Sequence, residues 1–175
     1  MNKNQKRLLN YSYFLLARRR YTVHEMVEKL YTKNQTLQVP CTDTELQEIL
    51  EALTKANFLN DQDYIYFYIE SQLRKKPLGI NKIITNLQKK GLERSEVKKI
   101  YNQFSVDELA LAKDALDRKV NSKRLLNTKL YSQHDHQKTK QKYFRYLQAR
   151  GFSTEICIKT ISSLPHFSQS DQTDF

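Results

Sequence analysis

The sequence predicts an all-α chain built from three tandem three-helix, helix-turn-helix-like repeats, and three observations carry that prediction. Only three Gly and three Pro occur among 175 residues, too few for the many turns of an all-β sandwich. Apolar residues fall at steps of 0, +3, +4 and +7, the spacing that lays one stripe along a helix. The stripes themselves recur in register, 57 and then 60 residues apart. With 39% hydrophobic residues, including 11 Tyr and 8 Phe, the chain has apolar surface enough for packed cores.

Taken in order, residues 4–19 read as the opening helix of the first repeat. Val23, Met26, Val27 and Leu30 form the stripe of the second helix, and Leu46, Ile49, Leu50 and Leu53 that of the third. Between them NQTLQVPCTD (34–43) is polar and holds Pro40, so it reads as a loop. The second repeat opens with 62–75. Its DYIYFYI segment (63–69) has strand-like propensity, but the apolar pattern continues to Leu73 and no partner strand is visible, so a helix is predicted. Ile80, Ile83, Ile84 and Leu87 follow, then Val97, Ile100, Tyr101 and Phe104. In the third repeat 106–121 opens. Lys140, Tyr143, Phe144 and Leu147 mark its second helix, and Cys157, Thr160, Ile161 and Leu164 its third, although a slip of one residue to Ile156 fits nearly as well.

The helix ends agree with this register. Asn34, Gly91 and Gly151 stand four residues past the closing Leu of each second helix, and these residue types tolerate the left-handed conformation that ends a helix. Thr22-x-x-Glu25, Thr42-x-x-Glu45 and Ser105-x-x-Glu108 read as capping boxes at helix starts. The repeats are therefore placed at 1–60, 61–104 and 105–164, with an inserted loop at 120–135 and a frayed polar tail at 165–175. Within the insertion, Leu125, Leu126, Leu130 and Tyr131 extend a flanking helix or pack as a hinge. A unit this small buries little on its own, so each repeat is expected to lean on its neighbour in an elongated, curved array.

The net charge of +11 is spread as +3 over 1–60, +4 over 61–104 and +4 over 105–175. An even positive field attracts polyanions without naming one. Two cysteines, Cys41 and Cys157, make no disulfide framework. No apolar run approaches a membrane span and the N-terminus MNKNQKRLLN lacks a signal-peptide core, so a cytoplasmic, monomeric protein is expected.

Catalytic chemistry finds no foothold. Phosphate-binding loops, dinucleotide fingerprints, nucleophile elbows and zinc-protease motifs are all missing from the sequence. His134-Asp135-His136 has a metal-ligand flavour, but it lies in an expected polar loop with no Cys nearby and reads as a solvated connector. Asp61 and Asp63 stand at a helix start, where the macrodipole accounts for them. No enzyme activity, metal or cofactor is expected. The basic clusters say more. Arg18-Arg19-Arg20, Arg74-Lys75-Lys76, Lys89-Lys90 and Arg150, with Arg145 before it, are placed at helix C-termini. One charge per terminus compensates the dipole, whereas three in a row suggest cationic ridges that recur with the repeat and suit a partner that itself repeats. Most tyrosines fall on core stripes, leaving Tyr11, Tyr13, Tyr66 and Tyr131 unassigned to a side.

Four segments, ARRRYTVHEMVEKL (17–30), NFLNDQDYI (57–65), KKPLGINKIITNLQKKGL (75–92) and YLQARGFSTEICIKTI (146–161), resemble in order and spacing the RecX family of bacterial recombinase modulators. The resemblance runs from about residue 8 to 164. It implies three tandem three-helix repeats, and it implies binding to RecA recombinase in the groove of its filament on single-stranded DNA. It further implies restraint of filament growth, ATP hydrolysis, strand exchange and coprotease activity, and so modulation of recombination, DNA repair and the SOS response. The contacts expected on that basis are Arg18, Arg19, Arg20, Arg74, Lys75, Lys76, Lys82, Lys89, Lys90, Arg145 and Arg150. The alternative is a basic helical protein that binds nucleic acid by itself, although no helix shows a single face of Asn, Gln and Arg suited to reading bases.

Overall fold

The computed structural model describes residues 2–75, 77–124 and 133–164, without the side chains of 121–124 and 133–136. Among the described residues the chain is helical throughout and holds no strand: α1 (Lys3–Leu16), α2 (Val23–Asn34), α3 (Asp43–Lys55), α4 (Asp61–Lys75), α5 (Ile80–Gln88), α6 (Arg94–Tyr101), a 3-10 turn (Asn102–Phe104), α7 (Glu108–Arg124), α8 (Gln133–Ala149) and α9 (Thr154–Ser162). The ambiguous DYIYFYI segment shows why helix wins. Ile65 and Ile69, four apart, are fully buried, while Phe67 between them is 40% exposed. A strand would have placed all three on one face. The stripes bury as their spacing requires, including Cys157, Thr160 and Ile161 on α9, which settles that helix in the first of its two registers.

Two units make up the chain: one holds residues up to Tyr68 together with Asn86–Ile100, the other Ile69–Thr85 and everything from Tyr101 on. In the first, α1, α2 and α3 pack on one another, around Leu8, Met26, Leu30, Leu46, Ile49 and Leu53. In the second, α7, α8 and α9 do the same, around Ala112, Ala115, Leu116, Leu147, Phe152, Cys157 and Ile161.

Each unit contains a joint between successive repeats, and the two joints are built alike. In the first, the Thr22 hydroxyl at the start of α2 donates to the Lys90 carbonyl beyond α5 (2.8 Å), and the Val23 amide donates to the Asp61 carboxylate of α4 (2.9 Å). In the second, the Gly79 amide at the start of α5 donates to the Arg150 carbonyl beyond α8 (3.0 Å), and the Ile80 amide donates to the Glu108 carboxylate of α7 (3.1 Å). The first helical amide of α2 and of α5, which has no partner inside its own helix, is thus satisfied by a carboxylate from the next repeat. Positions 22 and 79 are 57 apart and 90 and 150 are 60 apart. The sequence repeat is therefore also a repeat of joints.

The helix starts at Thr22 and Thr42 carry reciprocal capping boxes with Glu25 and Glu45. Ser105 does not. It sits in the left-handed region (φ 46°) after the 3-10 turn, and Asp107 caps α7 instead by accepting from Leu109 and Ala110. Glu108 is thereby free to serve the joint. Gly91 and Gly151 adopt the expected positive φ, 79° and 87°. Asn34 does not, since it remains in α2. Its buried amide instead bonds both the amide and the carbonyl of Cys41, 2.8 Å each, and so closes the 35–41 loop. The left-handed Asn is Asn57 (φ 58°). Leu53–Phe58, Leu87–Leu92 and Leu147–Phe152 all close with the same amide-to-carbonyl bond across five residues, the Schellman arrangement.

α7 runs on to Arg124 and α8 starts at Gln133, so both ends of the 120–135 stretch expected as a loop have helical backbone. His134, Asp135 and His136 thus have helical backbone where a polar loop was expected, with side chains outside the described residues. Lys76, the 125–132 stretch with Leu125, Leu126, Leu130 and Tyr131, and the tail at 165–175 lie outside the described residues.

Candidate binding surface

The arginine run ends up past the last turn of its helix. α1 stops at Leu16 with Ala17 as its C-cap, so Arg18, Arg19 and Arg20 lie in the link to α2, and each guanidinium lies over an aromatic ring. Arg18 sits 4.1 Å from the Phe14 centroid, Arg19 3.7 Å from Tyr21 and Arg20 3.8 Å from Phe67. The three differ in what else they touch. Arg19 is paired with Glu25 at 3.2 Å, and Lys90 reaches the same carboxylate at 2.7 Å. Burial alone would push the Glu25 carboxyl up, but the bonds from Lys90, Arg19 and the Thr22 amide outweigh it and hold the carboxyl below its usual range. Lys90 and Arg19 are therefore committed to the first joint. Arg18 and Arg20 are exposed and form no ion pair among the described residues.

In the second unit Lys75, Pro77, Ala115, Arg118, Lys119, Tyr146 and Arg150 line a cleft of about 390 Å³. Arg150 donates to the Pro77 carbonyl (3.2 Å). Arg118 donates to the Lys75 carbonyl (3.2 Å) and pairs with Asp114 (2.8 Å). Lys119 and Arg150 lie 5.3 and 5.0 Å from the Tyr146 ring centroid. Two expected contacts, Lys75 and Arg150, thus meet in one place. Sequence reasoning missed Arg118 and Lys119, although their position three residues beyond buried Ala115 and Leu116 puts them on the flank of that stripe.

The other expected contacts are dispersed. Arg74 pairs with Glu70 one turn back (3.3 Å) on α4. Lys82 and Lys89 are exposed, Lys82 in the first turn of α5 and Lys89 just beyond its end. Arg145 lines an apolar groove of about 370 Å³ with Phe144, Ile158 and Ile161. Cys41 and Cys157 are both buried, and burial pushes both thiols up, away from the reactive thiolate. No group of three His, Cys, Asp or Glu side chains comes within metal-holding reach among the described residues. No helix among them is long and apolar enough to cross a membrane.

No family model matches the chain. Curated proteins do: the regulatory protein RecX of Clostridium perfringens (strain SM101 / Type A) is 32% identical over 144 residues, covering 79% of this chain and 64% of that protein. The chain belongs to the RecX family. The regulatory protein RecX of Haemophilus influenzae (strain PittEE) is 25% identical, over 83% of this chain and 87% of its own. The crystal structure of RecX from Lactobacillus salivarius superposes with a TM-score of 0.71 over 96% of this chain and 99% of that one, at 18% identity. A second RecX crystal structure gives 0.67 at 20% identity, over 89% of this chain and 70% of that one. These two likenesses are of fold. The chain spans less than two thirds of the length of the clostridial RecX proteins it matches.

Proposed function

We propose that this protein binds RecA recombinase and its single-stranded-DNA filament, inhibiting filament growth, ATP hydrolysis, strand exchange and coprotease activity. It thereby modulates recombination, repair and the SOS response. It acts in the cytoplasm, as a monomer, without cofactor or catalysis. The observation that carries the reading is the 32% identity to a regulatory protein RecX, sustained over 144 residues. The recurrence of cationic side chains at helix ends in all three repeats supports it, because a filament offers an acidic protein lattice and DNA phosphates at regular intervals. Contacts to more than one protomer at once give an avidity that free recombinase cannot match. Preference for one filament state then shifts assembly and hydrolysis together.

Titration into recombinase filaments assembled on single-stranded DNA tests the proposal. ATP hydrolysis is expected to fall at substoichiometric protein, and filaments to shorten. Hydrolysis unchanged at stoichiometric protein overturns it. Tight binding to naked DNA with no effect on filaments would instead favour a protein that acts on nucleic acid alone.

A further inference from the structure

The arginine–aromatic patch of the first unit has a geometry that neither packing nor pairing accounts for. Phe14 and Phe67 are 52% and 40% exposed, and each already carries a guanidinium on one face, so each keeps open ring surface. Tyr13, next to Phe14 in the chain, stands edge to face 5.2 Å from Phe58, the two being 40% and 52% exposed. These aromatics come from α1, the α3–α4 turn and α4, and the arginines join them, since Arg20 reaches from the α1–α2 link to Phe67 on α4.

A guanidinium lying flat on a ring points its N–H groups outward in its own plane. It can therefore hold a phosphate while the aromatic surface beside it takes a base. Arg19, drawn into its pair with Glu25, is excluded from this role. Arg18 and Arg20 are not.

We propose that this patch is a stacking platform for single-stranded DNA: Phe14 and Phe67 take bases, and Arg18 and Arg20 take the flanking phosphates. Charge complementarity selects the occupant, because two exposed guanidiniums that make no ion pair among the described residues favour a polyanion, and exposed rings beside them favour one with unpaired bases. The proposal deepens the reading above, resting on it for the source of the strand. It assigns the strand-binding surface and makes recognition depend on bases rather than on charge alone.

The binding measurements use the full chain and no recombinase, so that failure here leaves the inhibition assay untouched; the Leu variant is also run in that assay. Fluorescence anisotropy compares a labelled oligothymidylate with an abasic oligonucleotide of the same length. The wild-type protein is expected to bind the base-bearing strand roughly tenfold or more tightly, the scale of one or two stacked bases. Phe14→Leu with Phe67→Leu keeps apolar bulk but removes the rings, and is expected to erase that preference. Arg18→Gln with Arg20→Gln is expected to weaken binding to both strands and lower the salt dependence by about 1.4, the slope expected for two phosphate contacts on a single strand. Equal wild-type affinity for the two strands overturns the proposal, as does a Leu variant that keeps the preference. A Leu variant that binds DNA normally but no longer inhibits filaments would make the patch a protein contact, which overturns it as well.

Discussion

Glu25 and Asp61 meet at the first joint with opposite ionisation behaviour. Asp61 is raised, chiefly by burial, against the pull of the Val23 amide. Its charged form is therefore the costly one in the folded chain, a cost relieved as pH falls through its raised folded value. Glu25 is lowered from 4.5, because Lys90, Arg19 and the Thr22 amide overcome its burial. A depressed carboxyl stabilises the fold fully above its unfolded value, and that contribution is lost as pH falls through the lower folded value. Glu25→Gln should therefore cost about 2 kcal/mol at pH 7, since it leaves Lys90 and Arg19 half-covered and without their carboxylate. Urea unfolding is expected to show the gap shrinking below about pH 4, as the wild-type carboxyl protonates. Asp61→Asn keeps an oxygen for the Val23 amide and should be neutral or stabilising at pH 7. A constant gap for Glu25→Gln across the acid range would show that its carboxylate charge contributes nothing.

At the scale of the element, the helix ends decide how repeats meet. Gly91 and Gly151 share a positive φ, but they differ in what a methyl would strike. At Gly91 it meets the Cβ of His24, an atom fixed by its own backbone, and at Gly151 it meets the backbone of Lys82; neither can turn away. Gly91→Ala and Gly151→Ala should therefore each cost about 2–4 kcal/mol, read from the urea midpoints at unchanged slope. A cost of only about 1 kcal/mol at either position would mean that the φ alone matters there. The helices were legible in the sequence because stripes such as Ile80–Leu87 and caps such as Thr22 are local signals. Asn34 misled because Asn serves equally as a left-handed residue and as a side chain that closes a loop; only the return of Cys41 decides between them. The joints were out of reach for a related reason. Asp61 and Glu108 look like acids in a first turn, and nothing local says that they serve the amide of another helix. Of the expected contacts, Lys75 and Arg150 came together in the cleft, while Lys90 was spoken for by Glu25, a tertiary pairing that composition cannot reveal.

For the molecule as a whole, charge and stability separate. Each repeat carries a surplus of positive charge, yet only some of its cations hold the fold. Arg19, Lys90 and Arg150 bond carboxylates or carbonyls at or beside the joints. By contrast Arg74 makes an exposed pair with Glu70, the kind worth only about 0.3–0.5 kcal/mol, and Lys75 is exposed beside it. Replacing Arg74, Lys75 and Lys76 with Ala should therefore weaken filament inhibition severalfold while changing stability by less than about 0.5 kcal/mol, with the helical signal intact. Replacing Arg19 and Lys90 with Ala removes almost as much charge but should act on stability first, lowering the urea midpoint because Glu25 is left without its cations. The pair of variants distinguishes a cationic ridge that touches the partner from a general positive field. If only the field matters, the two lose inhibition in proportion to charge removed; if the ridge is the contact, the first loses far more despite its intact fold. Undiminished inhibition by the Arg74, Lys75 and Lys76 variant would remove that ridge from the mechanism.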